Sequence, residues 1–555
     1  MLVYRDASRA CTSGELQREL AARIRRCESK PSTLPRERRE GWFALLLVCA
    51  ELETALEDHA DGSPAARACA RRLTDACAAA WWAGANSDTS RWASEIAALA
   101  LPERLVLKRA EGYAYYALHP AAYALAVAER AESGRRVLVI GIRSIGTSLS
   151  AVALASLRAR GMAAERISVR PSGHAWDRRF SPGGAELGAL GALGDGECFV
   201  VDEGPGLSGS TFLAVGEGLE RAGVSRARIT FFTSHAVDVG QLVARDAGQR
   251  WQRFRWQVVP DAPPFEGALD MGAGRWRERV YASAAEWPAC WPSAERRKFR
   301  LPGSLDLIKF VGFGPYAEAP LARAERLARE GFGPAVTPAC AGYLRQRWCK
   351  GEVLRRPLAP LCQRLIPRVV DYLAFRSEAF PAGEVQAQAL EQMARVNVTE
   401  ALGVELPASF RLEVEHPVYA DGRLLPHEWV AVPGGELIKL DGIDHGDDHF
   451  FPGPCDSAWD LAGLVVELEL GDTDAAALLA AYRRRTGDDV AARLPAYRIA
   501  YAACRTGYLD MAAASSDPLE RQRLAREREW YSTQLLRSIE AASLASQAPK
   551  SRRIG

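Results

Sequence analysis

Apolar residues recur at helical spacing through residues 14–105, as in Leu45-Leu46-Leu47-Val48-Cys49-Ala50-Glu51-Leu52, and this predicts a helical region with almost no strand. The aromatic segment Glu111-Gly-Tyr-Ala-Tyr-Tyr-Ala-Leu-His-Pro120 breaks the pattern, as core packing or as a pocket wall. From Val137 the pattern changes to short apolar runs, each leading through glycine into an amphipathic helix. Val137-Leu-Val-Ile140, Cys198-Phe-Val-Val201 and Ile229-Thr-Phe-Phe-Thr233 read as buried strands. That alternation predicts a doubly wound α/β domain on a parallel sheet, with its ligand crevice beyond the carboxyl ends of the strands. Glycine, proline and alanine in 171–196 predict a long mobile loop, and proline with tryptophan in 258–298 a linker. A second region of mixed strands and helices begins near Arg300.

At 555 residues the chain exceeds what one hydrophobic core organises, so several domains are expected. The expected division is a helical region at 1–105, an α/β domain at 106–257, a linker at 258–298, an α+β domain at 299–540 and a flexible basic tail at 541–555. Seventy-one Lys and Arg against 69 Asp and Glu leave a charge of +2, which gives no field favouring nucleic acid or an anionic membrane, so neither is expected as a partner. The longest apolar run, 42–50, is half of what a membrane span needs. Twelve scattered cysteines and no apolar leader predict a cytoplasmic protein; nothing fixes its oligomeric state.

Candidate chemistry begins at Cys198-Phe-Val-Val-Asp-Glu-Gly-Pro-Gly-Leu-Ser-Gly-Ser-Thr211, a buried strand ending in two acids and opening into a small-residue loop before a helix. Gly206, Ser208, Gly209, Ser210 and Thr211 read as a phosphate cradle, because small residues let backbone N–H groups approach an anion. Asp202 and Glu203 can accept hydrogen bonds from a ribose diol or take a metal. This arrangement resembles the type I phosphoribosyltransferases. The resemblance implies a pyrophosphate loop after the first strand, and Gly141-Ile-Arg-Ser-Ile-Gly-Thr-Ser-Leu-Ser150 stands there, with Arg143, Ser144, Gly146 and Thr147 as contacts. It also implies a loop closing over the site at 172–186, where His174 and Arg179 stand, and a magnesium ion near Asp202 and Glu203, held indirectly through the ribose. Its chemistry would be phosphoribosyl transfer from phosphoribosyl pyrophosphate to a small-molecule acceptor, or the reverse cleavage of a nucleotide, in making a modified nucleoside-type metabolite.

The C-terminal half carries another pattern: Lys309 in the strand-like Leu305-Asp-Leu-Ile-Lys-Phe-Val-Gly-Phe-Gly314, Glu325 on a following helix, the hinge-like Gly342-Tyr-Leu-Arg-Gln-Arg-Trp-Cys-Lys-Gly351, and Leu437-Ile-Lys-Leu-Asp441. Their order resembles the aminoglycoside phosphotransferase and choline kinase group. The resemblance implies a protein-kinase-like fold, ATP as nucleotide, a Lys309–Glu325 pair on its phosphates, Asp441 on magnesium, Asp421 as catalytic aspartate and Asp460 as a structural one. Tyr419-Ala420 stands where the family has His-Gly, and Pro426 or His427 where it has asparagine. Asp444-His-Gly-Asp-Asp-His449 reads as a capping loop or a metal site, in which Asp444 or Asp447 would join Asp441 before His445 or His449 on a hard ion. Two further functions are therefore weighed: a nucleotide- or phosphoribose-binding module without turnover, and a small-molecule phosphotransferase in the C-terminal half.

Overall fold

The computed structural model describes residues 1–29, 35–84, 89–206, 208–261, 265–339, 342–356 and 362–547. Leu207 of the predicted phosphate cradle and the basic tail at 550–553 lie outside the described residues. The protein is a mixed α/β chain that divides into two compact units, one of residues 8–266 with 312–318, the other of residues 1–7, 267–311 and 319–555.

In the first unit, α1 (Ser13–Ser29), α2 (Pro35–Asp58) and α3 (Pro64–Ala83) realise the predicted helical region. The sequence places the ends of α3: the Ser63 hydroxyl accepts the Ala66 N–H at its start, Pro64 needs no donor partner in its first turn, and Gly84 closes it in the left-handed conformation. One strand pair interrupts the helices, Arg9–Thr12 antiparallel to Arg104–Leu107. Nor does this region stand apart from the α/β part that follows. Arg166 donates to Glu53 of α2 through two bonds of 2.8 Å and also pairs with Asp75 of α3.

The predicted parallel sheet has five strands, β1 (Val137–Ile142), β2 (Ala164–Val169), β3 (Glu197–Val201), β4 (Ile229–Thr233) and β5 (Arg255–Val258), in the order β2-β1-β3-β4-β5. Every pairing is parallel. Helices α4 (Pro120–Arg130), α5 (Ile145–Ala159) and α6 (Ser210–Arg221) accompany it. Strands β1, β3 and β4 are buried at every position, as strands covered on both faces must be, and their apolar runs follow from that. The segment expected to be a long loop, 171–196, instead forms a hairpin of Ser172–His174 with Asp177–Arg179 and then a helix, Gly184–Leu193. Glu186 accepts the Gly183 N–H and so starts that helix despite its glycines.

In the second unit the stretch read as a linker is structural from residue 267 on. Its strand β6 (Leu269–Asp270) joins β7 (Lys298–Arg300), β8 (Asp306–Phe310), β9 (Val336–Pro338) and β10 (Tyr343–Arg347) in an antiparallel sheet ordered β6-β7-β8-β10-β9. Trp291, also from the supposed linker, is buried in this unit's core. A smaller sheet follows, β11 (Glu352–Val353), β12 (Trp429–Ala431) and β13 (Leu437–Lys439), with β12 in the middle. Helix α7 (Pro315–Arg329) runs between β8 and β9, and α8 (Cys362–Ala379), α9 (Ala387–Leu402), α10 (Ala458–Glu467), α11 (Leu494–Ala514) and α12 (Pro518–Gln547) supply the helical layer. Among the described residues no helix is long and apolar enough to cross a membrane.

Candidate functional site

Lys309 projects from β8, between the fully buried Ile308 and Phe310, and is itself 3% exposed. An ammonium that deep requires anions. It finds them after β13: Nζ donates to Asp441 Oδ1 at 2.6 Å and to Asp444 Oδ1 at 3.3 Å, while Arg296 lies 2.9 Å from Asp444 Oδ2. Burial would lower the Lys309 pKa, but Asp441 and Asp444 outweigh it and hold it above the ordinary lysine value. Burial likewise pushes Asp441 up, and Lys309 with His445 reverses that to well below the carboxylate range.

Glu325 does not take part. On α7 the inward positions are Arg323, Ala324 and Leu327, and one residue on from Ala324 the helix has turned Glu325 to solvent. The expected Lys309–Glu325 pair is therefore corrected to Lys309 with Asp441 and Asp444. Arg323 is the α7 side chain that reaches inward, donating to the Ile443 carbonyl at 2.7 Å and pairing with Asp447.

Asp421 is also placed differently from the expectation. It has no exposed surface and does not line the cavity described below, so it is not positioned to meet a substrate hydroxyl. The Tyr372 hydroxyl donates to its Oδ2 at 2.5 Å, and Lys439 Nζ lies 3.2 Å from the same oxygen. Burial raises its carboxyl, and Lys439, His445 and Arg376 more than reverse this, leaving it below the usual range. Asp460, at the start of α10, accepts the backbone N–H groups of Asp421 and Gly422 at 2.8 and 2.9 Å. Burial and the neighbouring Asp421 push Asp460 up to about 6. Loop 421–428 is thus anchored by buried charges on its inner side.

It borders a cavity of about 340 Å³ within this unit, lined by Lys309, Asp441 and Asp444, by the hinge-like Gln346–Gly351, and by Arg423, His427, Glu428 and His445. Glu428 was not singled out from the sequence. The Leu440 N–H donates to its carbonyl at 2.7 Å, a pairing that brings the Glu428 side chain beside Asp441. Carboxylate oxygens of Glu428 and Asp441 and a ring nitrogen of His445 lie within 4.8 Å of one another. Lys439, in the quoted strand Leu437-Ile-Lys-Leu-Asp441 but given no role there, neutralises Glu428 at 2.7 Å. His445 Nδ1 is 2.7 Å from the Asp421 carbonyl, so it is the protonated nitrogen, and Nε2 accepts from Arg423 at 2.5 Å. That occupies the imidazole and leaves Asp441 and Glu428 as oxygen donors suited to a hard divalent cation. Asp447, committed to Arg323, does not line the cavity. His449, 3.0 Å from Asp448, does not line it either.

In the first unit, the residues expected to bind phosphoribosyl pyrophosphate are brought to one end of the parallel sheet but engage the chain itself. Arg143 Nε donates to Asp58 at 3.0 Å and Nη1 to the Ser168 carbonyl at 2.9 Å. Thr147 is fully buried against the Thr54 hydroxyl at 2.9 Å, and Ser144 and Gly146 begin α5 beneath α2 and Tyr113. In the cradle, Gly209 adopts a left-handed φ of 69°, and the hydroxyls of Ser208 and Ser210 both donate to the Ala175 carbonyl at the hairpin tip, at 3.0 and 2.6 Å. Gly206 is exposed and Thr211 half-buried; in the hairpin, His174 is exposed and Arg179 pairs with Asp177. Asp202 accepts the Glu203 N–H at 2.8 Å. Burial pushes Asp202 up to about 7, and burial with Glu111 and Asp202 pushes Glu203 up to about 8. Acids so poised are partly protonated near neutrality.

No protein-family model and no curated protein matches the chain. Among solved structures, the choline kinase LicA from Streptococcus pneumoniae aligns with a TM-score of 0.28 and 13% identity, over 45% of this chain and 89% of its own. A choline/ethanolamine kinase family protein from Mesorhizobium loti aligns at 0.28 and 16%, over 43% and 89%. A thermostable mutant of the aminoglycoside phosphotransferase APH(4)-Ia aligns at 0.26 and 12%, over 45% and 91%. These structures are small-molecule kinases and phosphotransferases, none is a phosphoribosyltransferase, and the expectation of a phosphoribosyltransferase is withdrawn. The self-engaged loops around Arg143 and Ser208 are the physical counterpart of that correction.

Proposed function

We propose that residues 267–555 form an ATP-dependent phosphotransferase acting on a small-molecule alcohol. The observation that carries this reading is the meeting of Lys309 and Asp441 on the wall of a cavity of about 340 Å³, a size typical of ligand sites. Lys309 would hold ATP phosphate oxygens, and the 346–351 segment would border the base. Asp441 and Glu428 fit magnesium, which when bound supplies positive charge to the β- and γ-phosphates. In the transfer, the acceptor oxygen bonds to the γ-phosphorus, the bond from that phosphorus to the bridging oxygen breaks, ADP leaves with the electron pair, and the hydroxyl proton passes to water. Because the transition state is loose, positioning and charge supply most of the acceleration, and a buried Asp421 still contributes by fixing loop 421–428.

The burial of Asp421 also favours a second reading, a site that binds ATP with little turnover. Thermal unfolding with ATP and magnesium tests binding, and ADP release over a panel of alcohols tests turnover. Protection without ADP release selects the second reading; no protection overturns both.

A further inference from the structure

The cavity that Lys309 and Asp441 line also carries other basic and aromatic side chains. Among the described residues, eight basic and five acidic side chains line it. The acids are largely committed: Asp441 to Lys309, Asp444 to Lys309 and Arg296, Glu428 to Lys439, and Glu295 to Lys298 at 2.8 Å. Two lining arginines, Arg505 and Arg423, face acids that other cations already share. Arg505 of α11 is 8% exposed, lies over the rings of Tyr508 and Tyr531 at 5.4 and 5.1 Å and engages the Tyr531 hydroxyl, and among the described residues its buried Nε has no hydrogen-bond partner. Arg423 gives Nη2 to His445, stands 3.9 Å from Glu428, and among the described residues its buried Nε likewise has no hydrogen-bond partner. Glu467, the acid beneath Arg505, already accepts from Tyr501 and Tyr531 and pairs with Arg356. Beside them stands an aromatic wall in which Trp291, Phe450 and Tyr508 pack on one another at 5.0 to 5.3 Å.

A guanidinium that lines a cavity is a strong oxyanion receptor, and it repels an ammonium. We infer that the phosphoryl acceptor of this site carries an oxyanion, as a hydroxy acid or a phosphorylated alcohol does, bound by Arg505 and Arg423 against the Trp291–Phe450–Tyr508 wall. The inference rests on the phosphotransferase reading for the word acceptor, while the anion site itself stands on the arginines. A quaternary ammonium or polyamine alcohol is the class it excludes.

The test titrates the full-length protein with glycerol 3-phosphate, inorganic phosphate, glycerol and choline, following heat and melting temperature, in wild type, Lys309→Met, Arg505→Gln and Arg505→Lys. Glycerol 3-phosphate and phosphate are expected to bind wild type, to lose about tenfold in affinity in Arg505→Gln, and to recover part of it in Arg505→Lys. Glycerol and choline are expected to give no response. Should Arg505→Gln fail to fold, the ranking of the four probes on wild type and Arg505→Lys still decides. Binding of choline in preference to the anions, or anion binding unchanged in Arg505→Gln, overturns the inference. Loss of anion binding in Lys309→Met alone also overturns it, placing the anion at the nucleotide end. If wild type binds the anions through Arg505 yet never binds ATP, the anion site stands and the phosphotransferase reading falls.

Discussion

Lys309 and Asp441, 132 residues apart in the chain, meet through a hydrogen bond of 2.6 Å, the ammonium nearly inaccessible and the carboxylate opening onto the cavity. The pair couples β8 of the five-stranded sheet to the end of β13, so one contact serves stability and the site.

Replacing Lys309 with methionine keeps the length of the side chain but leaves Asp441 and Asp444 facing each other without their shared cation. Breaking a buried pair from one side costs about 3 kcal/mol, more than an exposed pair ever contributes. We expect a lower melting temperature together with at least about a tenfold loss of ATP affinity, read by calorimetry below the melting range.

Asp441→Asn removes one of two oxygen donors while retaining shape. ATP binding should lose its dependence on magnesium, and Glu428→Gln should weaken it in the same direction. A magnesium titration at fixed ATP reads this; equal magnesium dependence in Asp441→Asn and wild type removes Asp441 from the metal site.

Gly442 has a φ of 153°, and a Cβ there would collide with Asp421 Oδ2 and come within 2.6 Å of the Tyr372 hydroxyl. Gly442→Ala is therefore expected to destabilise the second unit by about 1–3 kcal/mol, through backbone strain and a displaced Asp421. Chemical denaturation measures it, and an unchanged midpoint would remove Asp421 from the anchoring of loop 421–428.

In the first unit, Asp202 and Glu203 titrate near 7 and 8, above their unfolded values near 4. The folded state therefore holds their protons more tightly, and the stability this gives is present at acidic pH and lost as pH rises through about 7 to 8. The melting temperature of the wild type should fall from pH 5 to pH 8.5, and that fall should flatten in the Asp202→Asn, Glu203→Gln double variant. An identical slope in both proteins would show that the pair is not shifted.

The strands of the parallel sheet were legible because β1, β3 and β4 are buried on both faces and so spell unbroken apolar runs. Lys309 and Asp441 were legible because each charged residue ends or interrupts such a run. Glu428 was hidden: its place depends on the pairing of its carbonyl with Leu440, which spacing alone does not reveal. Glu325 misled because helix position fixes direction, and one residue's difference from Ala324 turns it outward. The strands near 269 and 299 escaped notice because prolines and tryptophans around them suggest a linker, whereas Trp291 is core. The loops around Arg143 and Ser208 have the composition of an anion cradle, but their donors meet Asp58, Ser168 and Ala175, partners that only tertiary structure supplies.

The most direct test is isothermal calorimetry of the full chain with ATP and magnesium, beside the Lys309→Met variant, supported by ADP release with anionic alcohols. Binding by wild type is expected, with at least about tenfold weaker binding by Lys309→Met and ADP release stimulated by an anionic alcohol. Absence of ATP binding by folded wild type at millimolar concentration, or equal binding by the two proteins, would contradict that expectation.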